Sequence, residues 1–198
     1  MNACRFCKEQ AQRLWRFLGF FQPPQLRIIH LVVILLVALQ LISSQFMASP
    51  GRAGVVASMA NTLHFTCGIV LVFLGIYFTG LSWRMRGLKR FYGYLWGEVE
   101  QLRKDIVETL HFRTVAPRPG GLATTVQGLG FGALLLAALS GLAWFVVWRM
   151  RLPYTHAFKE VHEALSTLIV LYFAGHGGMA LLHFVLWQRK VVQKNVDE

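Results

Sequence analysis

Four stretches of the chain stay apolar for long enough to cross a lipid bilayer, and this constrains the fold more than anything else in the sequence. They are IIHLVVILLVALQLISSQFM (28–47), NTLHFTCGIVLVFLGIYFTGLSW (61–83), TTVQGLGFGALLLAALSGLAWFVVW (124–148) and VHEALSTLIVLYFAGHGGMALLHFVLW (161–187). Each meets the ~20 residues that a helix needs to span a hydrocarbon core of ~30 Å. Inside lipid every backbone polar group must be satisfied within the segment, so runs of this length become helices. With 55% of residues hydrophobic and only 15% charged, too little polar surface remains to coat a soluble domain. The expected architecture is an all-α integral membrane protein, a four-helix transmembrane bundle.

The formal net charge of +11 invites a nucleic-acid reading, but the placement of the cations argues for topology instead. Five Lys or Arg precede the first span, eight lie between spans two and three, and three follow the fourth. The first and third connections hold one and three, giving sixteen on one side against four on the other. By the positive-inside rule both termini and the long middle loop face the cytoplasm, and no nucleic-acid partner is expected. The span at 28–47 is longer than the core of a signal peptide, and no small-residue cleavage site follows it, so it is expected to stay as an anchor.

Three regions follow: a cytoplasmic arm (1–25), the membrane domain (26–190) and a cytoplasmic tail (191–198). The arm ends at Pro23-Pro24, which suits the first turn of a helix. It also carries Cys4 and Cys7 as CRFC, which lacks the histidine that a c-type haem attachment site requires. Between spans two and three, Leu95, Val99, Leu102, Ile106 and Leu110 recur at three- and four-residue steps among charges. That spacing predicts an amphipathic cytoplasmic helix, lying on the membrane face or under a soluble subunit. GLGFG at 128–132 sits in an apolar helix and follows no strand, so it is not a phosphate loop.

Four histidines carry the chemical argument: His30, His64, His162 and His176. The last two are fourteen residues apart on one helix, roughly four turns and ~21 Å, so they face the same way at two depths. Given alternating helix directions, His30 lies on the inner side with His176, and His64 on the outer side with His162. Two trans imidazoles at one depth, from different helices, are what a b-type haem needs on its two iron faces. Gly68, Gly175, Gly177 and Gly178 flank these residues, and Gly128, Gly130, Gly132 and Gly141 line the third span; absent side chains there would leave room for a porphyrin. Arg27 inside, with Arg52, Arg149, Arg151 or Lys159 outside, would meet propionates. A metal carrier would need carboxylates or thiolates at midplane, whereas Glu163 is the only acid in the spans.

The segments LRIIHLVVILLV, NTLHFTCGIVL and HEALSTLIVLYFAGHGGMALLHFVLW resemble the bacterial cytochrome b561 superfamily. It includes the cytochrome b subunits of membrane formate dehydrogenases, nickel–iron hydrogenases and thiosulfate reductases, together with stand-alone superoxide-oxidising cytochromes. The resemblance implies two haems b in the bacterial inner membrane, with His64/His162 as the outer ligand pair and His30/His176 as the inner one. It further implies electron transfer between an extracytoplasmic or membrane-associated redox subunit, bearing iron–sulfur clusters or c-type haem, and a quinone, menaquinone or ubiquinone. The matching positions for the quinone pocket are Gln127 and Thr124; formate dehydrogenase subunits carry asparagine where Thr124 aligns. His183 is a further pocket-lining candidate. The alternative is a partner-free superoxide:quinone oxidoreductase with a positive funnel at the outer haem, and a third possibility is a haem-free anchor.

Overall fold

The computed structural model describes residues 3–48, 54–111, 113 and 118–194; Arg52 lies outside them. Among the described residues seven helices follow in order: α1 (Ala3–Gly19), α2 (Pro24–Ser44), α3 (Val55–Arg86), the short α4 (Leu88–Tyr92), α5 (Glu100–Leu110), α6 (Leu122–Arg149) and α7 (Thr155–Lys194). A 3₁₀ turn, Gly93–Trp96, links α4 toward α5. Among the described residues α2, α3, α6 and α7 are the four helices apolar and long enough to span a membrane.

The helices run past the spans predicted from hydropathy, and local chemistry sets where they stop. Pro23 and Pro24 start α2 four residues before the first apolar run, because proline needs no donor in the unbonded first turn. Gly87, at φ +79°, ends α3, and its N–H closes on the Trp83 carbonyl at 2.8 Å. At its start α7 continues through charged residues because Lys159 and Glu163 pair one turn apart at 2.9 Å. Its 40 residues extend ~60 Å, about twice a hydrocarbon core. The surplus reaches beyond the bundle beside α1, where Phe17 meets Phe184 and Trp187 and Gln188 donates to Gln10 at 2.8 Å.

The four long helices are antiparallel neighbours, α2 against α3, α3 against α6 and α6 against α7. The end holding α1, α4 and α5 is here called proximal, and the end where α2 turns into α3 and α6 into α7 is distal. The core comprises Leu26, Val33, Val37, Leu71, Phe78, Phe91, Phe131, Leu134 and Ile169. Arg27 is buried at the proximal end. It donates to the carbonyls of Trp15 and Gln22 at 3.0 and 3.1 Å and lies over the Trp15 ring, pinning α1 to α2. That guanidinium is committed to the fold.

The middle segment departs from its sequence reading. The helix begins at Glu100 rather than near Leu95, because Gly97 at φ +80° interrupts it. Its buried face is the polar one. Asp105, 2% exposed, accepts the N–H of Leu122 at 2.9 Å and the Gln101 amide at 2.6 Å. A carboxylate from α5 thereby caps the positive end of α6, and a Cβ at Gly121 would collide with it. The apolar residues Leu95, Val99, Ile106 and Leu110 point outward.

Candidate functional site

α7 packs along α6 and stands off from α2 and α3. Across that gap the four histidines meet in two pairs. His64 on α3 faces His162 on α7 at the distal end, with ring centroids 6.5 Å apart and planes at 74°. His30 on α2 faces His176 on α7 at the proximal end, at 6.3 Å and 70°. Histidine–metal bonds run about 2.0–2.1 Å and the ligating nitrogen sits about 1.1 Å from its ring centroid, so imidazoles trans across one iron have centroids roughly 6.3 Å apart. Both pairs match that separation. Among the described residues, no three His, Cys, Asp or Glu side chains converge, so the arrangement offers two-point grips and not a chelating cluster.

Each imidazole is held from behind. Ser43 Oγ lies 3.1 Å from His64 Nδ1, Ser140 Oγ lies 3.2 Å from His162 Nδ1, and the Gln22 amide lies 3.2 Å from His30 Nδ1. His176 is held by stacking: the Tyr172 ring lies against it at 5.0 Å. Trp144 lies parallel to His162 at 6.1 Å, and Phe78 is stacked on His30 at 5.8 Å. Histidines that bind metal almost always engage their second nitrogen with a polar neighbour, and three of these four do so through Nδ1, which leaves Nε2 as the nitrogen available to a metal.

The distal pair opens into a cavity of about 950 Å³ lined by Gln40, His64, Gly68, Gly141, Trp144 and His162 among others. Three buried polar atoms of its lining residues, Gln40 Oε1, Asn61 Oδ1 and Trp144 Nε1, have no hydrogen-bond partner. An apolar slot with a few unspent polar groups suits a planar macrocycle bearing polar edges. Lys159 stands at the rim as a cation, tied to Glu163.

The glycines divide differently from expectation. Gly141 accommodates the His162 ring, whose Cε1 would lie 2.8 Å from an added Cβ. At Gly130 an added Cβ would collide with Tyr172, and Gly128 makes way for Phe91 and Tyr92. Gly68 faces the Gln40 amide, which donates to the His64 carbonyl at 2.9 Å. Only Gly132, Gly175, Gly177 and Gly178 of the set border open space. The third-span glycines therefore serve chiefly to let aromatic rings approach.

A family model described as prokaryotic cytochrome b561 matches residues 22–194. The chain belongs to the prokaryotic cytochrome b561 family. No curated protein and no solved structure shows a significant match. Cytochromes b561 bind haem b and transfer electrons across membranes, and the paired imidazoles with the distal cavity are donors and space of the right kind for that group.

At the proximal end, Thr124 is 2% exposed and its hydroxyl lies 3.1 Å from both the Arg118 and Gly121 carbonyls, which share its single proton. Gln127 is half-buried one turn further along α6. His183 places Nδ1 2.8 Å from the Met179 carbonyl, while its Nε2 is buried without a partner. Cys7 is exposed and Cys67 half-buried, and both are free thiols. Sequence reasoning missed Gln22, Gln40, Ser43, Ser140 and Tyr172. Their available signal was polarity within or beside apolar spans, where polar side chains rarely lack a task.

Proposed function

We propose that the chain carries two haems b, the distal one held by His64 and His162 and the proximal one by His30 and His176, and that it conducts electrons across the bacterial inner membrane. The observation behind this reading is the pair of imidazole separations, 6.5 and 6.3 Å, each close to that of trans ligands on one iron. A haem b held between two imidazoles would supply one-electron chemistry and leave the iron closed to substrate. The chain's own residues hold those ligands at two depths, exclude water with the aromatic wall and keep the two sites on one rigid helix, α7.

The sixteen-to-four split of cations supports a cytoplasmic proximal end. Electrons would then arrive at the distal end from an extracytoplasmic or membrane-associated redox subunit, bearing iron–sulfur clusters or c-type haem. They would leave proximally to menaquinone or ubiquinone, in the manner of the cytochrome b subunits of formate dehydrogenase, hydrogenase and thiosulfate reductase. Gln127 and the partnerless Nε2 of His183 are among the polar groups available to a quinone there; Thr124, its hydroxyl engaged, would shape the pocket wall. The superoxide-oxidising alternative needs a positive distal field; Glu163 and Glu160 offset Lys159 and His156 there, which leaves Arg149 and Arg151 to supply it.

Stopped-flow mixing of pre-reduced protein with a menaquinone or ubiquinone analogue tests the quinone link. Haem reoxidation by either quinone, slowed about tenfold in Gln127→Leu, as loss of roughly 1.4 kcal/mol of transition-state stabilisation would give, is the expected result. Reduced haem that persists with both quinones would overturn it.

A further inference from the structure

Two serines on different helices use the same device. Ser43, 3% exposed on α2, gives its hydroxyl proton to the Gln40 carbonyl three residues back at 3.2 Å, and its oxygen meets His64 Nδ1. Ser140 on α6 gives its proton to the Ala137 carbonyl at 3.0 Å, and its oxygen meets His162 Nδ1. A hydroxyl has one proton and two lone pairs. With the proton spent on a carbonyl, each serine can only accept from the imidazole, so Nδ1 must carry hydrogen and Nε2 must offer its lone pair. Gln40 adds a second anchor by donating to the His64 carbonyl, so both ring and backbone of that histidine are fixed.

The proximal pair lacks this symmetry. His30 meets the Gln22 amide, whose Oε1 is buried without a partner; turning the amide over would bring that oxygen to Nδ1. Among the described residues no side chain hydrogen-bonds to His176, which is stacked on Tyr172 instead. An imidazole whose N–H donates to an acceptor becomes a more basic ligand, and more basic axial ligands favour ferric over ferrous iron. Two such imidazoles serve the distal site, against at most one for the proximal site.

We infer that Ser43 and Ser140 are positioning residues that fix the tautomer of both distal imidazoles and hold the distal haem below the proximal haem in reduction potential. Resting on the two-haem reading, this makes electron flow from the distal to the proximal end downhill.

The test is a potentiometric titration with low-temperature electron paramagnetic resonance on the purified full-length protein. His64→Ala identifies the distal component as the one it removes. Wild type should show that component as the lower in potential. Ser43→Ala and Ser140→Ala should each move it upward and alter its low-spin signal, the double variant should move it further, and the proximal component should stay put. Ser43→Thr and Ser140→Thr, which keep the hydroxyl, should return it toward the wild-type value. If an alanine variant loses the distal haem while its threonine counterpart keeps it, the hydroxyl is again shown to act on the ligand; loss in both would contradict the assignment. A distal component unmoved in the double variant, moved equally with the proximal one, or higher than it in wild type would also overturn the inference. Wild type with fewer than two haems would instead sink the two-haem reading, and this inference with it.

Discussion

The Tyr172 ring lies flat against the His176 imidazole, one turn along α7, with centroids 5.0 Å apart and planes within 8° of parallel. The space for that ring comes from Gly130 on α6, where an added Cβ would strike it. Gly130→Ala should displace the tyrosine and loosen His176, with an overpacking cost of about 1–3 kcal/mol. The expected readout is a lower melting temperature and selective loss of proximal haem. Gly141→Ala, pressing on His162 at 2.8 Å, should do the same at the distal site. Absorbance of the reduced variants distinguishes them, and identical spectra in both would contradict the separate roles.

Asp105 reaches from α5 to cap α6, 2.9 Å from the Leu122 N–H. Asp105→Ala removes a buried acceptor and should cost about 1–2 kcal/mol. Asp105→Asn keeps an acceptor oxygen while losing the charge that favours a helix N-terminus, so its cost should be smaller. Thermal unfolding in detergent measures both, and equal losses would show that the charge carries the whole effect.

Tyr92, outside the spans, donates to the Gly128 carbonyl at 2.9 Å, and burial holds its phenol above the ordinary value of 10.0. A raised folded-state value means that the neutral form is favoured on folding. Its stabilisation is fully present below pH 10.0 and is lost as pH rises through the folded-state value. Tyr92→Phe should cost about 1 kcal/mol at neutral pH and flatten the alkaline part of the stability profile. A stability profile unchanged by the substitution would remove Tyr92 from the account.

The histidine pairs were legible in the sequence because helical spacing and alternating direction fix depth without any knowledge of packing: fourteen residues on α7 and one histidine early in each of α2 and α3 suffice. The spans were legible for the same reason, though their ends were not. Hydropathy cannot see Pro23 starting α2 early, Gly87 stopping α3, or the Lys159–Glu163 pair carrying α7 beyond the apolar run. Periodicity found the amphipathic segment but assigned its apolar face to a surface beyond the bundle without seeing that Asp105 would be the buried side. Ser43 and Ser140 were invisible because each acts on a histidine of another helix, and which face of α2 meets α3, or of α6 meets α7, depends on packing that no single segment encodes.

The ligand pairing predicts complementary losses. On the proposed pairing, His176→Ala takes away one of the two imidazoles that would hold the proximal haem and should remove that haem while sparing most of the distal one; His64→Ala should do the reverse. Metal-ligand loss acts locally when the sites sit about 21 Å apart along one helix. Equal loss of both haems in both variants would contradict the pairing.

The most direct test of the whole account is to count haem per polypeptide in the purified wild-type protein, by pyridine haemochrome absorbance against amino-acid analysis. Two haems b per chain is the predicted result. One or none would contradict it, since each of the two imidazole pairs would then have to be explained by packing alone.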